Sequence, residues 1–304
     1  MSFSSKVKGE LCSERPEKKC CAVAEAYGAL LYCHTFSPDE IRIITSSDAF
    51  AARLPRLFRR AFGVGFDVAP PEGAPGKRSF VISDPEKISA VFGAFGIESG
   101  SALSLHINLG VLENDCCRAS FVRGAFLSGG SITDPDKRYH LELFTSHYSV
   151  SREAYSILLD MGFSPKEARR GGGYLVYFKQ SEAIADFFTT IGAPCAAMDV
   201  MSAKVEKDMR NTINRKVNCD SANADKTVTA AQRQLEDIRR VKRELGFENL
   251  PEPLQQAALL RITNPEASLS DLASLAVPPV SKSCMNHRLK KLAAINTNTM
   301  EEPK

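Results

Sequence analysis

Residues 20–33 read CCAVAEAYGALLYC, and residues 116–130 read CCRASFVRGAFLSGG. A cysteine pair and a glycine recur in them at a constant spacing of 96 residues: Cys20 and Cys116, Cys21 and Cys117, Gly28 and Gly124. A repeat of this kind predicts a duplicated structural unit. Small residues on one face of each segment would let two helices approach closely, so we expect the two segments to pack together.

The same order of elements follows each segment. A hairpin is predicted from HTF, a SPDE turn and IRIITS in the first copy, and from GSIT, a DPDKR turn and YHLELFTS in the second. An amphipathic helix, a strand and a closing helix complete each copy. Pro55 is expected to kink or shorten the first amphipathic helix, and Asp84–Pro85 to cap the first closing helix. We predict an α+β domain of residues 1–203, with pseudo-two-fold repeats at about 20–97 and 116–192.

The composition is that of a globular protein of 304 residues, 43% hydrophobic and 25% charged. This length suits two domains. The net charge of +3 is too small to identify a polyanion-binding protein, so a nucleic-acid interface must be sought in local charge distribution. No run approaches the roughly 18 apolar residues of a membrane span, and no signal peptide is evident. We expect a cytoplasmic protein with no membrane contact.

The nine cysteines include no CxxC pair. Neighbouring side chains in the two adjacent pairs are expected to diverge, which does not suit chelation of one zinc ion. A metal site would require residues from distant parts of the chain to converge. We therefore expect reduced, buried thiols, with no metal and no cofactor.

Polar residues dominate residues 204–246, which we predict to be a mostly helical linker. LQQAALLRI then predicts an apolar helix that ends at Asn264–Pro265. Ser268 and Asp271 are spaced to cap the next helix in a box-like arrangement, and Pro278–Pro279 separates that helix from SKSCMNHRLKKLAAI. These elements predict an all-α helix-turn-helix domain at residues 247–295, followed by a flexible tail at 296–304.

The last of these helices carries basic residues and no acidic ones. Cys284, Leu289 and Leu292 are expected to face the domain core, with Met285 or the stem of Arg288 as further inward-facing candidates. A recognition helix presents its N-terminal residues to base edges, and lysine and arginine along it bind phosphates. We expect double-stranded DNA as a partner. The candidate DNA-binding residues are Ser281, Lys282, Ser283, Asn286, His287, Arg288, Lys290 and Lys291.

The segment VRGAFLSGGSITDP resembles the LAGLIDADG motif of homing endonucleases, in which a helix carries a close-packing glycine and ends in a metal-binding aspartate. The resemblance covers about residues 20–200. Placing Gly28 and Gly124 on the packing glycine puts Cys33 and Gly129 at the two acid positions. Paired carboxylates are needed there to hold the metal ions that activate water, and neither residue supplies one. We therefore expect a nuclease scaffold without catalytic residues and no enzyme activity.

The linker and the last helix are similar to those of the WhiA family of bacterial transcriptional regulators. That family carries Asn-Arg-x-x-Asn-Cys-Asp-x-x-Asn between its domains, and Ser-Lys-Ser and Asn-His-Arg-Leu in its recognition helix; residues 281–289 contain the second motif. The resemblance extends over essentially the whole chain. It implies a sequence-specific, nucleoid-associated DNA-binding regulator with roles in cell division, chromosome segregation or sporulation. The linker motif comprises Asn214, Arg215, Asn218, Cys219, Asp220 and Asn223.

Two other functions remain alternatives. One is a divergent metal-dependent nuclease that uses Asp134 or Asp136, although these residues and Asp39 also suit hairpin turns. Magnesium-dependent nicking of DNA that is lost in Asp134→Ala would favour it. The other is an interaction module whose repeat domain binds another regulatory protein, and a partner requirement for tight DNA binding would favour that.

Overall fold

The computed structural model describes residues 2–13, 18–71, 73–74, 76–97 and 105–295. The chain forms two compact units, and the boundary between them falls between Asp208 and Met209. The tail predicted at residues 296–304 lies outside the described residues. Within the described ranges, no helix is long and apolar enough to cross a lipid bilayer.

The first unit contains the two copies with their elements in the predicted order. The first copy consists of α2 (Lys19–Leu31), β1 (Thr35–Phe36), β2 (Ile41–Thr45), α3 (Asp48–Phe62), β3 (Arg78–Ile82) and α4 (Pro85–Gly93), and α1 (Phe3–Ser13) precedes it. The second consists of α5 (Asp115–Gly129), β4 (Gly130–Ile132), β5 (Leu141–Thr145), α6 (Tyr148–Asp160), β6 (Lys166–Arg170), β7 (Gly173–Phe178) and α7 (Ser181–Ile191). A long helix, α8 (Pro194–Glu244), contains the boundary between the units.

Each copy folds its strands into one antiparallel sheet. The strand orders are β1-β2-β3 and β4-β5-β7-β6, so β2 pairs with β3 as β5 pairs with β7. Among the described residues, the first copy has no full counterpart of β6. In the first copy, a single antiparallel bridge joins Val68 to Val81 at the outer edge of β3. In the second copy, β6 occupies the corresponding position beside β7. Among the described residues, the main difference between the two sheets is therefore at this outer edge.

Pro55 does not shorten α3, which runs through it for 15 residues. The expectation of a shortened helix is wrong because α3 is anchored on both sides of the proline. Leu54, Leu57 and Phe58 are all buried in the domain. Packing of this apolar face outweighs the one backbone hydrogen bond that proline cannot donate.

Asp84 caps α4 as predicted, because its carboxylate accepts a hydrogen bond from the backbone N–H of Glu86 at 2.9 Å. The sequence patterns did not predict α1 or β6. All five residues of β6, KEARR, are exposed. A strand with two solvated faces has no alternation of apolar and polar residues by which it could be recognised.

Helices α2 and α5 pack so closely that their backbones are in contact. A Cβ atom at Gly28 would lie 2.0 Å from the carbonyl oxygen of Phe121, and one at Gly124 would lie 1.9 Å from the carbonyl oxygen of Glu25. Only glycine leaves room for such an approach. The predicted close packing of the two repeated segments is confirmed.

A buried group of charges joins α2 to its neighbours. Glu25 has no solvent exposure, and its two carboxylate oxygens accept hydrogen bonds from Arg53 of α3 at 2.6 and 2.8 Å. Arg123 of α5 lies 3.5 Å from the same carboxylate and donates to the carbonyl oxygen of Ile191 at 2.6 Å. One carboxylate therefore connects three helices through charge-assisted hydrogen bonds.

The second unit is helical. It contains a 3-10 turn (Phe247–Asn249), α9 (Glu252–Thr263), α10 (Leu269–Leu275) and α11 (Lys282–Ala293). Ile238 and Val241 of α8 lie in its core, so the end of the segment assigned to the linker packs as part of this unit. The other buried core residues are Leu250, Ala257, Ala258, Leu272, Ala273, Ala276, Met285, Leu289 and Leu292.

Alanine at Gly28 or Gly124 is expected to destabilise the first unit, because each new methyl group would overlap a backbone carbonyl of the opposite helix. We expect either substitution to lower the free energy of unfolding by at least about 2 kcal/mol, measured by denaturant titration. Gly9→Ala is the matched control, since Gly9 lies inside α1 with nothing within 4 Å of a Cβ atom. That variant should gain up to about 1 kcal/mol. Equal losses in all three variants would contradict the close contact.

Candidate nucleic-acid interface

Helix α11 begins at a side-chain cap. The hydroxyl of Ser281 accepts a hydrogen bond from the backbone N–H of Cys284 at 3.2 Å. This cap satisfies one of the amides that a helix leaves unpaired at its start. It therefore fixes where α11 starts and which residues fall in its first turn.

The inner face of α11 consists of Met285, Leu289 and Leu292, which are buried. Their spacing of four and three residues places them on one helical face. The prediction that the two leucines face the core is confirmed. It was wrong for Cys284, which is only half-buried. Of the two further candidates, Met285 is the buried one, because it lies four residues before Leu289 on the same face.

A set of hydrogen bonds holds α11 against the other helices of this unit. The N–H of Val280 donates to the carbonyl oxygen of Ala273 at 3.0 Å, which closes the turn between α10 and α11. Gln256 of α9 donates to the carbonyl oxygen of Val277 at 2.7 Å and accepts from Arg288 at 3.0 Å. Arg288 is therefore directed toward α9, where it helps to position α11.

The predicted capping box at the start of α10 is confirmed. Ser268 accepts from the N–H of Asp271 at 3.2 Å, and the Asp271 carboxylate accepts from the N–H of Ser268 at 3.0 Å. The hydrogen bonds that the Asp271 carboxylate accepts from Ser268 lower the pKa of Asp271. Before this box, Arg261 is 2% exposed and donates to the carbonyl oxygen of Ala267 at 2.6 Å, and burial lowers the pKa of its guanidinium. The turn before α10 is thus fixed from both sides.

Ser283, His287, Lys290 and Lys291 lie opposite the buried face of α11, whereas Lys282 is exposed because it is the first residue of the helix. Their spacing covers the half of the helix that faces away from Met285, Leu289 and Leu292. Since this half contains lysines and no acidic side chain, it has the charge required for phosphate contacts. Lys282, Ser283, His287, Lys290 and Lys291 are exposed, and Asn286 is half-buried.

All six residues of the linker motif are exposed on the middle of α8. Among them, Asn223 donates from its amide to the Cys219 sulfur at 3.6 Å. This segment lies between the part of α8 that packs in the first unit and the part that packs in the second. The structure does not bring its side chains together with those of α11 into one described site.

Gly129, the acid position of the second copy in the LAGLIDADG comparison, has no space for an acid. A Cβ atom there would lie 2.5 Å from the carbonyl oxygen of Phe144 and 2.9 Å from the ring of Tyr32. Gly129 is the last residue of α5, where the helix runs directly into β4. The site therefore lacks both a carboxylate and the volume that a carboxylate would occupy.

Cys33, the acid position of the first copy, follows the end of α2. Its thiol donates a hydrogen bond to the carbonyl oxygen of Thr35 at 3.1 Å, and burial raises its pKa to about 12. A protonated thiol that donates to a carbonyl is not a ligand for a hard divalent cation. Neither of the two acid positions, at the C-terminal ends of α2 and α5, supplies the oxygen ligand of a metal-dependent nuclease.

The nearby aspartates form turns. Asp134 accepts a hydrogen bond from the N–H of Asp136 at 3.0 Å in the β4–β5 connection. Asp39 lies in the turn before β2, which is closed by a 3.0 Å bond from the N–H of Ser37 to the carbonyl oxygen of Glu40. The role in turns that their sequence suggested is therefore observed for all three.

The cysteine pairs differ from the sequence-based expectation. The sulfur atoms of Cys20, Cys21 and Cys117 all lie within 4.8 Å of one another. The expected divergence of neighbouring side chains is therefore wrong for Cys20 and Cys21. Only the packing of α2 against α5 brings Cys117 to them, so no local pattern could have revealed this group.

Gly129→Ala is expected to lower the free energy of unfolding by about 1–3 kcal/mol, since a methyl group meets the Phe144 carbonyl and Tyr32. Gly129→Asp should cost at least as much. Gly93→Ala is the control, because Gly93 is likewise the last residue of a helix but has open space around it. Denaturant titration compares the three variants. Full stability of Gly129→Asp would show that the position can accept an acid.

Stability should also depend on pH through Cys33. Its thiol ionises near 9.0 in the unfolded chain but near 12 when folded, so the stability it contributes below pH 9.0 is lost as the pH rises through this window. Cys33→Ala should therefore lose less stability across the window than the unaltered chain. Lys8, whose pKa burial lowers to about 8, acts in the opposite direction but equally in both chains. Urea titrations at several pH values measure the difference; Cys219→Ala, which removes an exposed thiol, is the control. Parallel curves for all three chains would contradict the prediction.

Comparisons with known proteins agree with this architecture. The chain matches the WhiA LAGLIDADG-like domain over residues 118–210 and the WhiA C-terminal HTH domain over residues 213–296. A crystal structure of full-length DUF199/WhiA from Thermatoga maritima has the same fold, with a TM-score of 0.60 and 24% identity over 97% of each chain.

Two curated relatives match along nearly their whole length. Both are called probable cell division protein WhiA. The protein of Ruminiclostridium cellulolyticum is 38% identical over 97% of both chains. That of Heliobacterium modesticaldum is 37% identical over 97% of this chain and 96% of its own. The present chain therefore belongs to the WhiA family, with a LAGLIDADG-like domain followed by a C-terminal helix-turn-helix domain.

Proposed function

We propose that this protein binds double-stranded DNA in a sequence-specific manner through α11 and thereby regulates transcription. The observation that carries the proposal is the exposed surface of α11, which has three lysines and no acid, while Met285, Leu289 and Leu292 bury the other side of the helix. A helix held in this way by two others is what a helix-turn-helix protein inserts into the major groove. The family assignment supports the same function.

The residues of α11 take different roles in this proposal. Lys282, Lys290 and Lys291 bind phosphates, because flexible ammonium groups supply charge without reading sequence. Ser283 and Asn286 lie near the start of the helix, where side chains reach base edges, and asparagine pairs well with the N6 and N7 edge of adenine.

Three further candidate residues, in α11 and at its N-cap, have supporting roles. Ser281 fixes the start of the helix, and Arg288 positions it through Gln256. His287 is exposed and lies beside the phosphate-binding lysines, so we assign it a secondary backbone contact.

The proposed regulator does not cut DNA. Gly129 leaves no volume for a carboxylate, and the Cys33 thiol is bonded to a backbone carbonyl. Asp134 and Asp136 are engaged in a turn, which argues against the alternative nuclease site. The first unit then acts as a scaffold or as a surface for another regulatory protein.

The names of the relatives indicate the process. Both curated relatives are called probable cell division proteins, and we propose that this chain regulates genes of cell division. Chromosome segregation and sporulation are related roles implied by family resemblance. A regulator of this kind acts on the nucleoid.

Titration of full-length protein with DNA tests the proposal, once the sites that it occupies in its own cell have been mapped genome-wide. Lys290→Ala and Lys291→Ala should each weaken binding to the preferred site and to unrelated duplex about equally. Each should also reduce the slope of log affinity against log salt by about one. Asn286→Ala should cost roughly 1–3 kcal/mol on the preferred site and leave nonspecific binding nearly unchanged.

Lys137→Ala is the matched control, because it removes the same charge from an exposed turn of the first unit. Its affinity and salt slope should equal those of the unaltered protein. If the two α11 variants bind normally and Lys137→Ala does not, the DNA interface lies on the first unit and the proposal is wrong.

A further inference from the structure

The two cysteine pairs meet at the start of α2 and α5. Cys20, Cys21 and Cys117 have their sulfur atoms within 4.8 Å of one another. Cys116 lies next to Cys117 in the first turn of α5 and is exposed, outside this group of three. Three of the four thiols at this end of the helix pair therefore converge, and the exposed Cys116 is the neighbouring side chain that can turn toward them.

The arrangement suits a tetrahedral ion. A tetrahedron has two opposite edges related by a two-fold axis, and each cysteine pair can supply one such edge. With Zn–S bonds of about 2.3 Å, neighbouring sulfur atoms would be about 3.8 Å apart. The three sulfurs already grouped within 4.8 Å need to approach by about 1 Å or less, which small side-chain rotations in the first helical turns can provide.

The group is buried on one side and open on the other. Cys21 and Cys117 are 8% and 1% exposed, whereas Cys20 and Cys116 are exposed. The inner pair, Cys21 and Cys117, belongs to the hydrophobic core of the first unit. The outer pair gives an ion a path from solvent.

The surroundings also favour a negatively charged thiolate cluster. The N-cap residues of both helices, Lys18 and Asn114, make no side-chain cap hydrogen bond. Both helix N-termini carry a partial positive charge. Lys18 and Lys19 precede Cys20 in sequence, and Arg118 follows Cys117 and lies 3.9 Å from Asp115, the acidic residue before Cys116. Four thiolates around Zn²⁺ leave two net negative charges, which the lysines and the helix N-termini offset.

We propose that Cys20, Cys21, Cys116 and Cys117 form a structural zinc site that joins the two repeats at the start of their paired helices. Binding exchanges the four thiol protons, which pass to solvent, for one Zn²⁺ ion held by four sulfurs. All four positions are filled by protein, so the site is structural and not catalytic. This departs from the expectation of no metal that the sequence suggested. It does not depend on the proposed DNA binding.

The test uses the full-length chain, purified with a reductant, stripped with a chelator and then titrated with Zn²⁺ against a chromophoric chelator. Cys20→Ser removes an exposed ligand, and Cys195→Ser removes an exposed cysteine outside the group as the matched control. We expect one zinc ion per unaltered chain and per control chain. Cys20→Ser should bind zinc more than about 100-fold more weakly, since even indirect supports of a ligand are worth 10–100-fold.

Two further measurements distinguish a four-sulfur zinc site from weak binding of zinc by exposed thiols. Co²⁺ in place of zinc should give the thiolate charge-transfer and visible bands of a tetrahedral sulfur site, and these should be lost in Cys20→Ser. Zinc should also raise the melting temperature of the unaltered and control chains but not of Cys20→Ser. No zinc retained by the reduced protein would overturn the proposal, as would equal affinity in all three chains. A disulfide between the helices, found by mass spectrometry in protein that takes up no zinc when reduced, would overturn it as well.

Discussion

The backbone contact between α2 and α5 is the constraint on which the first unit depends. Because Gly28 and Gly124 carry no side chain, the helices approach until each glycine faces a carbonyl oxygen of the other helix. A shift of either helix by one residue would bring a Cβ atom into that space. The contact therefore sets both the depth and the register of the helix pair. It brings the cysteine pairs together at one end and directs Cys33 and Gly129 toward the sheets at the other.

The buried charges around Glu25 depend on the same contact. Its carbonyl oxygen faces Gly124, while its carboxylate binds Arg53 and Arg123. A buried ion pair contributes little net stability relative to well-packed apolar side chains, but removing one partner leaves an unpaired charge that costs about 3–5 kcal/mol. The three helices are therefore held in one arrangement by a group that tolerates little change.

The loss of the nuclease residues concerns space as well as chemistry. At Gly129, the Phe144 carbonyl of the sheet and the Tyr32 ring occupy the space that an acidic side chain would need. The domain therefore has the helix pair and both sheets but no room at this position for a metal-binding carboxylate. In the second unit, the apolar face of α11 and the Arg288–Gln256 bond hold a basic surface outward. The residues available for recognition and those that stabilise the first unit therefore belong to different parts of the chain.

Local patterns were sufficient for much of this protein. The repeat around Gly28 and Gly124, the hairpins, the cap at Ser268 and the basic face of α11 were all predictable, because periodicity and capping act within a few residues. Contacts between distant segments decided the rest. The helix through Pro55 and the exposed strand β6 depend on neighbours that propensity does not describe.

Convergence of the cysteines required tertiary structure for the same reason. Cys21 and Cys117 are 96 residues apart, and only the depth at which two helices cross brings their sulfur atoms together. The closure of the Gly129 site likewise depends on Phe144 and Tyr32, which approach it from other elements. A sequence determines which residue types are present and how each segment folds, whereas distances between segments are set by packing the whole domain.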